Sequence, residues 1–154
     1  MALVVIMSWY AGIGALSAVG SIYLSQRFVP AKYESVFYGL FLIPIACLYL
    51  ALTSYFGVAA AWSLETVAVL AFAVLGSLGT RLPVALISGY ALHGFWDLLH
   101  EIHAHTGADV FGGGESTQIP LAYGAFCSTY DLAMAAYFIF RRGHWSAAWT
   151  AKAT

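Results

Sequence analysis

Residues 36–56 read VFYGLFLIPIACLYLALTSYF, and after Gly57 residues 58–78 read VAAAWSLETVAVLAFAVLGSL. Each run matches the roughly 20 apolar residues that a helix needs to cross a bilayer. Tyr55-Phe56-Gly57 between them reads as the tight turn of a helical hairpin. Three further runs of the same kind lie at 2–25, 82–102 and 118–140. Gly79 as a stop and Pro83 in the next first turn separate the third run from the fourth. Residues 103–117, with Gly112-Gly113-Gly114, form the one sizeable loop. The runs are too long and too uniformly apolar for a lipid-facing β-barrel. The expected fold is all-α: a single domain over 1–154, an integral membrane bundle of five transmembrane helices.

Composition agrees. Of 154 residues, 62% are hydrophobic and 8% charged, against roughly 45–50% and roughly 25% in soluble globular domains. Six Lys+Arg against seven Asp+Glu are too few to cover a water-facing surface and too balanced to steer nucleic acid. A soluble enzyme, a disordered linker and a nucleic-acid-binding domain are excluded on these grounds. Cys47 and Cys127 lie inside apolar runs without metal-type spacing and read as free buried thiols.

The basic residues set an expected orientation. Arg27 and Lys32 follow the first run, Arg81 the third, and Arg141, Arg142 and Lys152 the fifth. With five spans these places share one face, so the positive-inside rule puts the N-terminus outside and the C-terminus in the cytoplasm. The 103–117 loop then faces outward. The first run lacks a basic leader and is too long for a signal peptide, so it reads as a retained helix.

Three acids stand inside the runs: Glu65, Asp97 and Asp131. Ionisable groups at membrane depth are costly and mark sites or polar pathways. His93, His100, His103 and His105 crowd the outer half of the fourth run. His93, Asp97 and His100 fall at i, i+4 and i+7, on one helical face, with Glu101 at its border. Two imidazoles and a carboxylate suit a divalent metal, zinc ahead of iron, and the lack of nearby thiols argues against copper(I). At the helical rise, Asp97 lies about 8 Å deep, Glu65 about 10 Å, His93 and Cys127 about 14 Å and Asp131 about 20 Å. If the last three helices are neighbours, these groups share one cavity, with Tyr123, Ser128 and Tyr130 as supporting hydroxyls.

Plainer readings apply to much of this set. A single intramembrane His or Asp is often just an interhelical hydrogen-bond partner, and Glu65 alone fits packing as well as a site. His103 and His105 are expected to be solvated, His144 has no role, and Asp109 and Glu115 keep the loop wet. The aromatics, Tyr49 among them, are expected to pack and to anchor at interfaces.

The pattern His93-x-x-Trp96-Asp97-x-x-His100, followed by Cys127-x-x-x-Asp131, resembles an uncharacterised bacterial family of small multi-span membrane proteins, known by a domain-of-unknown-function label. Trp62 followed by Glu65 is a weaker echo. Members of that family carry a further histidine directly after the last one of the motif, where this chain has Glu101. The resemblance implies a shared polar centre in a bacterial inner (plasma) membrane but no activity. A looser likeness is to alkaline-ceramidase-type membrane hydrolases, which hold zinc between helices; they have seven spans, so the likeness is one of site.

The function expected first is a metal-dependent membrane enzyme, a hydrolase acting on a lipid or other apolar substrate from the outer, periplasmic side. His93, Asp97 and His100 would bind the metal, with Asp131 as a fourth ligand, and Glu65 or Glu101 would act as the catalytic base. A non-haem iron oxygenase and a metal-free acid–base isomerase or cyclase of an isoprenoid are alternatives within the same site. Transport of protons or metal ions, through a homo-oligomer if need be, and a structural role in a larger complex belong to different classes. Against a conduit, residues 132–140 and the inner half of the fourth run are almost wholly apolar.

Overall fold

In the computed structural model, which describes residues 1–150 and their side chains through 148, each apolar run is one α-helix. The helices are α1 (Ala2–Phe28), α2 (Ala31–Phe56), α3 (Trp62–Gly79), α4 (Pro83–Thr106) and α5 (Tyr123–Thr150), with a short 3-10 turn at Ala59–Ala61. No strand occurs among the described residues. Lys152, used above for orientation, lies outside them.

Local chemistry sets the ends. Val29 precedes Pro30 and is extended, as the residue before a proline tends to be. Gly57 closes α2 and Gly107 closes α4, each with a positive φ that a glycine adopts without a Cβ clash. Pro83 opens α4, where its missing N–H costs nothing.

The helices outrun the apolar stretches. α2 begins at Ala31 rather than at 36, α4 continues to Thr106, and α5 starts at Tyr123 rather than 118 but runs beyond Phe140. Apolarity marks where hydrocarbon ends, whereas backbone hydrogen bonding continues until a glycine, a proline or an unsatisfied end stops it. The connection between α4 and α5 is therefore 107–122, and His103 and His105 belong to the last turn of α4.

Ala2–Phe28, Ala31–Phe56 and Ala59–Gly79 are each long and apolar enough to cross a membrane. Their outer faces carry exposed Leu16, Val19, Val67, Leu70 and Val74, the surface expected of a helix against lipid. α4 and α5, which hold His93, Asp97, His100, Glu101 and Asp131, do not reach that apolarity. The bundle is consistent with an integral membrane protein.

α5 packs between α1 and α4, and α3 lies between α2 and α4. α2 closes the arrangement, touching α1, α4 and α5 as well as α3. Tyr38, Leu42, Leu86, Tyr90, Met134 and Phe138 fill one half of the interior. Trp145, late in α5, is buried with them. That half is also where the basic residues gather. Arg141 bonds Glu34 at 2.9 Å, Ser35 donates to the Thr80 carbonyl beside Arg81, and Gln26 beside Arg27 donates to Tyr137.

Where α2 crosses α3, backbone meets backbone. A Cβ on Gly39 would sit 2.5 Å from the Gly76 carbonyl oxygen, and one on Gly76 2.4 Å from that of Gly39. Such close approach is how membrane helices gain packing without a hydrophobic driving force between them. Gly76→Val should lower stability by about 1–3 kcal/mol. Gly12→Val, where nothing lies within 4 Å, should not; thermal unfolding of the two variants in detergent checks the contrast.

Candidate functional site

The buried polar residues of α4 fall into two groups along its axis. His93 and Asp97 meet Asp131 of α5. His93 Nδ1 lies 2.7 Å from Asp131 Oδ2 and 3.3 Å from Asp97 Oδ2. All three side chains are at most 1% exposed. Tyr49 of α2 donates its hydroxyl to Asp97 Oδ1 at 2.6 Å, and the Phe72 ring stands edge-on to His93. One ligand atom from each of His93, Asp97 and Asp131 lies within 4.8 Å of the other two.

His100 is not in that group. It sits i+7 from His93, about 10 Å further along the helix, and its partners are different. Its Nε2 lies 2.9 Å from Glu65 Oε1 of α3, and its Nδ1 lies 3.0 Å from the Trp96 carbonyl. A carbonyl only accepts, so Nδ1 carries a proton. Nε2 then faces a carboxyl oxygen, and one proton is held between His100 and Glu65. The backbone N–H of Thr117 also donates to Glu65 Oε1, at 3.0 Å. Phe111, from the 107–122 connection, covers this dyad by packing on Trp96, His100 and His103. The Tyr49 ring, 4.4 Å from that of His100 and 6.0 Å from that of His93, stands between the two groups.

Glu101 does something else again. One oxygen accepts from the N–H groups of Gly124 and Ala125, at 2.6 and 3.2 Å, and the other meets His105 at 2.8 Å. It caps the start of α5 from the neighbouring helix, satisfying orphan amides and opposing the positive end of the helix dipole. The approach is close because Gly124 lies against the Asp97 carbonyl, where a Cβ would come within 2.4 Å.

The hydroxyls expected on α5 are partly elsewhere. Tyr130 bonds Ser21 of α1, 3.1 Å away, while Tyr123 lies near the Tyr49 ring. Cys127 is half-buried and free, and Cys47 is exposed rather than buried, facing outward from α2. His103 Nδ1 bonds the Ala108 carbonyl, and Asp109 ties the loop by accepting from Gly113 N–H. Tyr49 and Glu34 were the residues that sequence reasoning missed. Tyr49 was one aromatic among many. Glu34 lies outside the apolar runs, yet it is fully buried and accepts from Tyr137, Arg141 and Trp145.

The donor chemistry of the first group suits a divalent cation. Asp97 Oδ2, Asp131 Oδ1 and His93 Nε2 are buried without a hydrogen-bond partner. With neutral imidazole the three residues carry two negative charges, while the five described Lys and Arg sit in the other half of the bundle. Buried charge of this kind needs pairing, by a proton or a metal, and one nitrogen with two oxygens is a donor set that zinc and iron accept.

Two supporting contacts are open to direct measurement. Glu101→Ala should destabilise the fold by about 0.5–2 kcal/mol through loss of the α5 cap. Tyr49→Phe should cost about 1–3 kcal/mol by leaving a buried carboxylate without its donor. Both are read from the thermal midpoint in detergent. Compared with family models, with curated proteins and with solved structures, the chain matches none.

Proposed function

We propose that the protein is a membrane-embedded, metal-dependent enzyme, a hydrolase acting on a lipid or other apolar substrate reached from the outer side. The observation that carries this reading is the convergence of His93, Asp97 and Asp131 at full burial, each with a polar atom that has no hydrogen-bond partner. These three would hold the ion, zinc ahead of iron. Bound there, a divalent ion would supply a Lewis acid and a water acidified toward neutrality. Tyr49 fixes Asp97 by its hydrogen bond. Glu65 and His100 keep a mobile proton one to two turns further out, in the position of a general base and acid. Phe111 shields that dyad from bulk water. Glu101 is left out of the chemistry, because both its oxygens are committed to the α5 cap and His105.

The same reading places all five helices across the membrane, with the N-terminus and the 107–122 connection outside and the basic end in the cytoplasm. The membrane would be a bacterial inner membrane, as the motif resemblance implies. In a Cys47→Ala background, Glu115→Cys should react with an impermeant maleimide on intact cells, and Arg142→Cys only after permeabilisation. The opposite pattern inverts the topology.

One distance favours a second reading. The 2.7 Å between His93 Nδ1 and Asp131 Oδ2 is that of a hydrogen bond, shorter than the roughly 3.3 Å between two ligands on one tetrahedral zinc. A protonated His93–Asp131 pair without metal would suit acid–base isomerisation or cyclisation of an isoprenoid.

Metal content of the purified protein, measured by mass spectrometry, separates the two. Near-stoichiometric zinc or iron is expected in the wild type, falling at least tenfold in His93→Ala and in Asp131→Asn. His100→Gln should keep the metal, since His100 belongs to the Glu65 dyad. A wild type that holds neither ion after refilling with both overturns the metalloenzyme and leaves the acid–base reading.

A further inference from the structure

A cleft of about 540 Å³ opens on the loop side of the bundle. Its wall is formed by Val58 from the α2–α3 turn, His103 and Ala104 from α4, and residues 114–119 of the connection. Ser116 and Thr117 line it at 8% and 4% exposure, and both hydroxyl oxygens are buried without a partner. Directly behind Thr117 stands Glu65, fully buried, which accepts the Thr117 N–H with one oxygen and leaves the other, Oε2, also without a partner. Three unsatisfied polar atoms on neighbouring residues are costly in an otherwise packed interior. Two of them belong to the cleft lining and the third stands behind it, where a bound polar group would find partners.

The charges around them decide which group. The lining carries Glu115 and His103, with Glu65 behind it, and no Lys or Arg. The described Lys and Arg lie in the opposite half of the bundle and His103 spends its Nδ1 on the Ala108 carbonyl, so an anionic phosphate or sulfate head would meet two carboxyl groups against one imidazole. Hydroxyl and carboxylate oxygens together accept several hydrogen bonds at one point. The group that returns three donors and a positive charge is a primary ammonium. Beside the wall, the half-buried rings of Trp96 and Phe111 pack on His100 and offer apolar surface to a chain.

We propose that this cleft binds the primary ammonium head of an amine-bearing lipid, held by Glu65, Ser116 and Thr117. This deepens the proposed function by naming the substrate class, and it rests on that reading only for what happens to the lipid after binding.

The test uses the full chain in detergent and native mass spectrometry, with dodecylamine, dodecanol and dodecyl phosphate as probes. Dodecylamine should be retained at least about tenfold more strongly than the other two. Glu65→Gln and Thr117→Val should each weaken it by about tenfold, a loss equivalent to about 1.4 kcal/mol. Thr117→Val and Ser116→Ala leave the Glu65–His100 pair in place, so a folding defect in Glu65→Gln does not decide the result. Equal retention of the three probes, stronger retention of the phosphate, or undiminished binding in all three variants overturns the proposal. Repeating the titration after chelation separates the two readings. An amine preference that survives in metal-free protein supports the cleft even where the metal centre fails. A metal-loaded protein with no amine preference overturns the cleft alone.

Discussion

His93 is the point on which the interior of this bundle depends. Its Nδ1 faces two carboxylates on two helices, at 2.7 and 3.3 Å, in a place that water does not reach. Either carboxylate alone at that depth would be prohibitively costly as an ion. The imidazole, with a proton or in partnership with a cation, makes both tolerable. Because Asp97 and Asp131 come from α4 and α5, that neutralisation also fixes how the two helices pair. Tyr49 extends the constraint to α2 through Asp97, and Phe72 brings in α3 by packing on the imidazole ring. Four of the five helices are thus held at one charge centre.

Close backbone contact makes such a centre rigid. Gly124 lets α5 approach the Asp97 carbonyl, and the same approach brings the first amides of α5 onto Glu101. A larger residue at 124 would push apart both the charge cluster and the cap, although neither involves the side chain of 124 itself. Gly39 and Gly76 do the equivalent service for α2 and α3, which carry Tyr49 and Glu65. The chemical groups are placed by residues that have no chemistry of their own.

This division explains what could be read from the sequence. The five helices were legible because uninterrupted apolarity over about 20 residues has few other meanings. His93, Asp97, Asp131, Glu65 and His100 were legible because charge at that depth is so rare. Their partition was not. The i, i+7 spacing puts His93 and His100 on one face of α4, but which acid each meets depends on the neighbouring helices, Asp131 of α5 standing beside His93 and Glu65 of α3 beside His100. Glu101 looked like a base because its capping role depends on where the next helix begins. That start was shifted from 118 to 123 by Pro120 and by Ala122 in the left-handed region. Glu34 was invisible for the opposite reason: it lies beyond the apolar run, yet α2 starts early enough to bury it.

The half of the molecule that holds the basic residues bears on whether the charge centre is a site or a passage. Residues 132–140 predicted an apolar seal, and the structure modifies that picture. Tyr38, Ser21, Ser25, Tyr130 and Tyr137 place hydroxyls inward of Asp131, most of them from α1 and α2 rather than from the helices that carry the acids. Those hydroxyls are spent on one another, on backbone carbonyls and on Glu34. Asp131 Oδ1, which could join them to the centre, has no partner. Between lie Leu42, Leu86, Met134 and Phe138, all fully buried, and Tyr90, whose hydroxyl is spent on the Tyr38 carbonyl. A proton or cation conduit requires continuity of polar partners through the low-dielectric interior, and here continuity breaks at that layer. On the loop side, by contrast, a chain of contacts runs from the cleft through Thr117 to Glu65 and His100. A polar approach from one side that reaches the dyad, with the Tyr49 ring between dyad and charge centre, and an apolar layer on the other side favour a binding or catalytic site over transport.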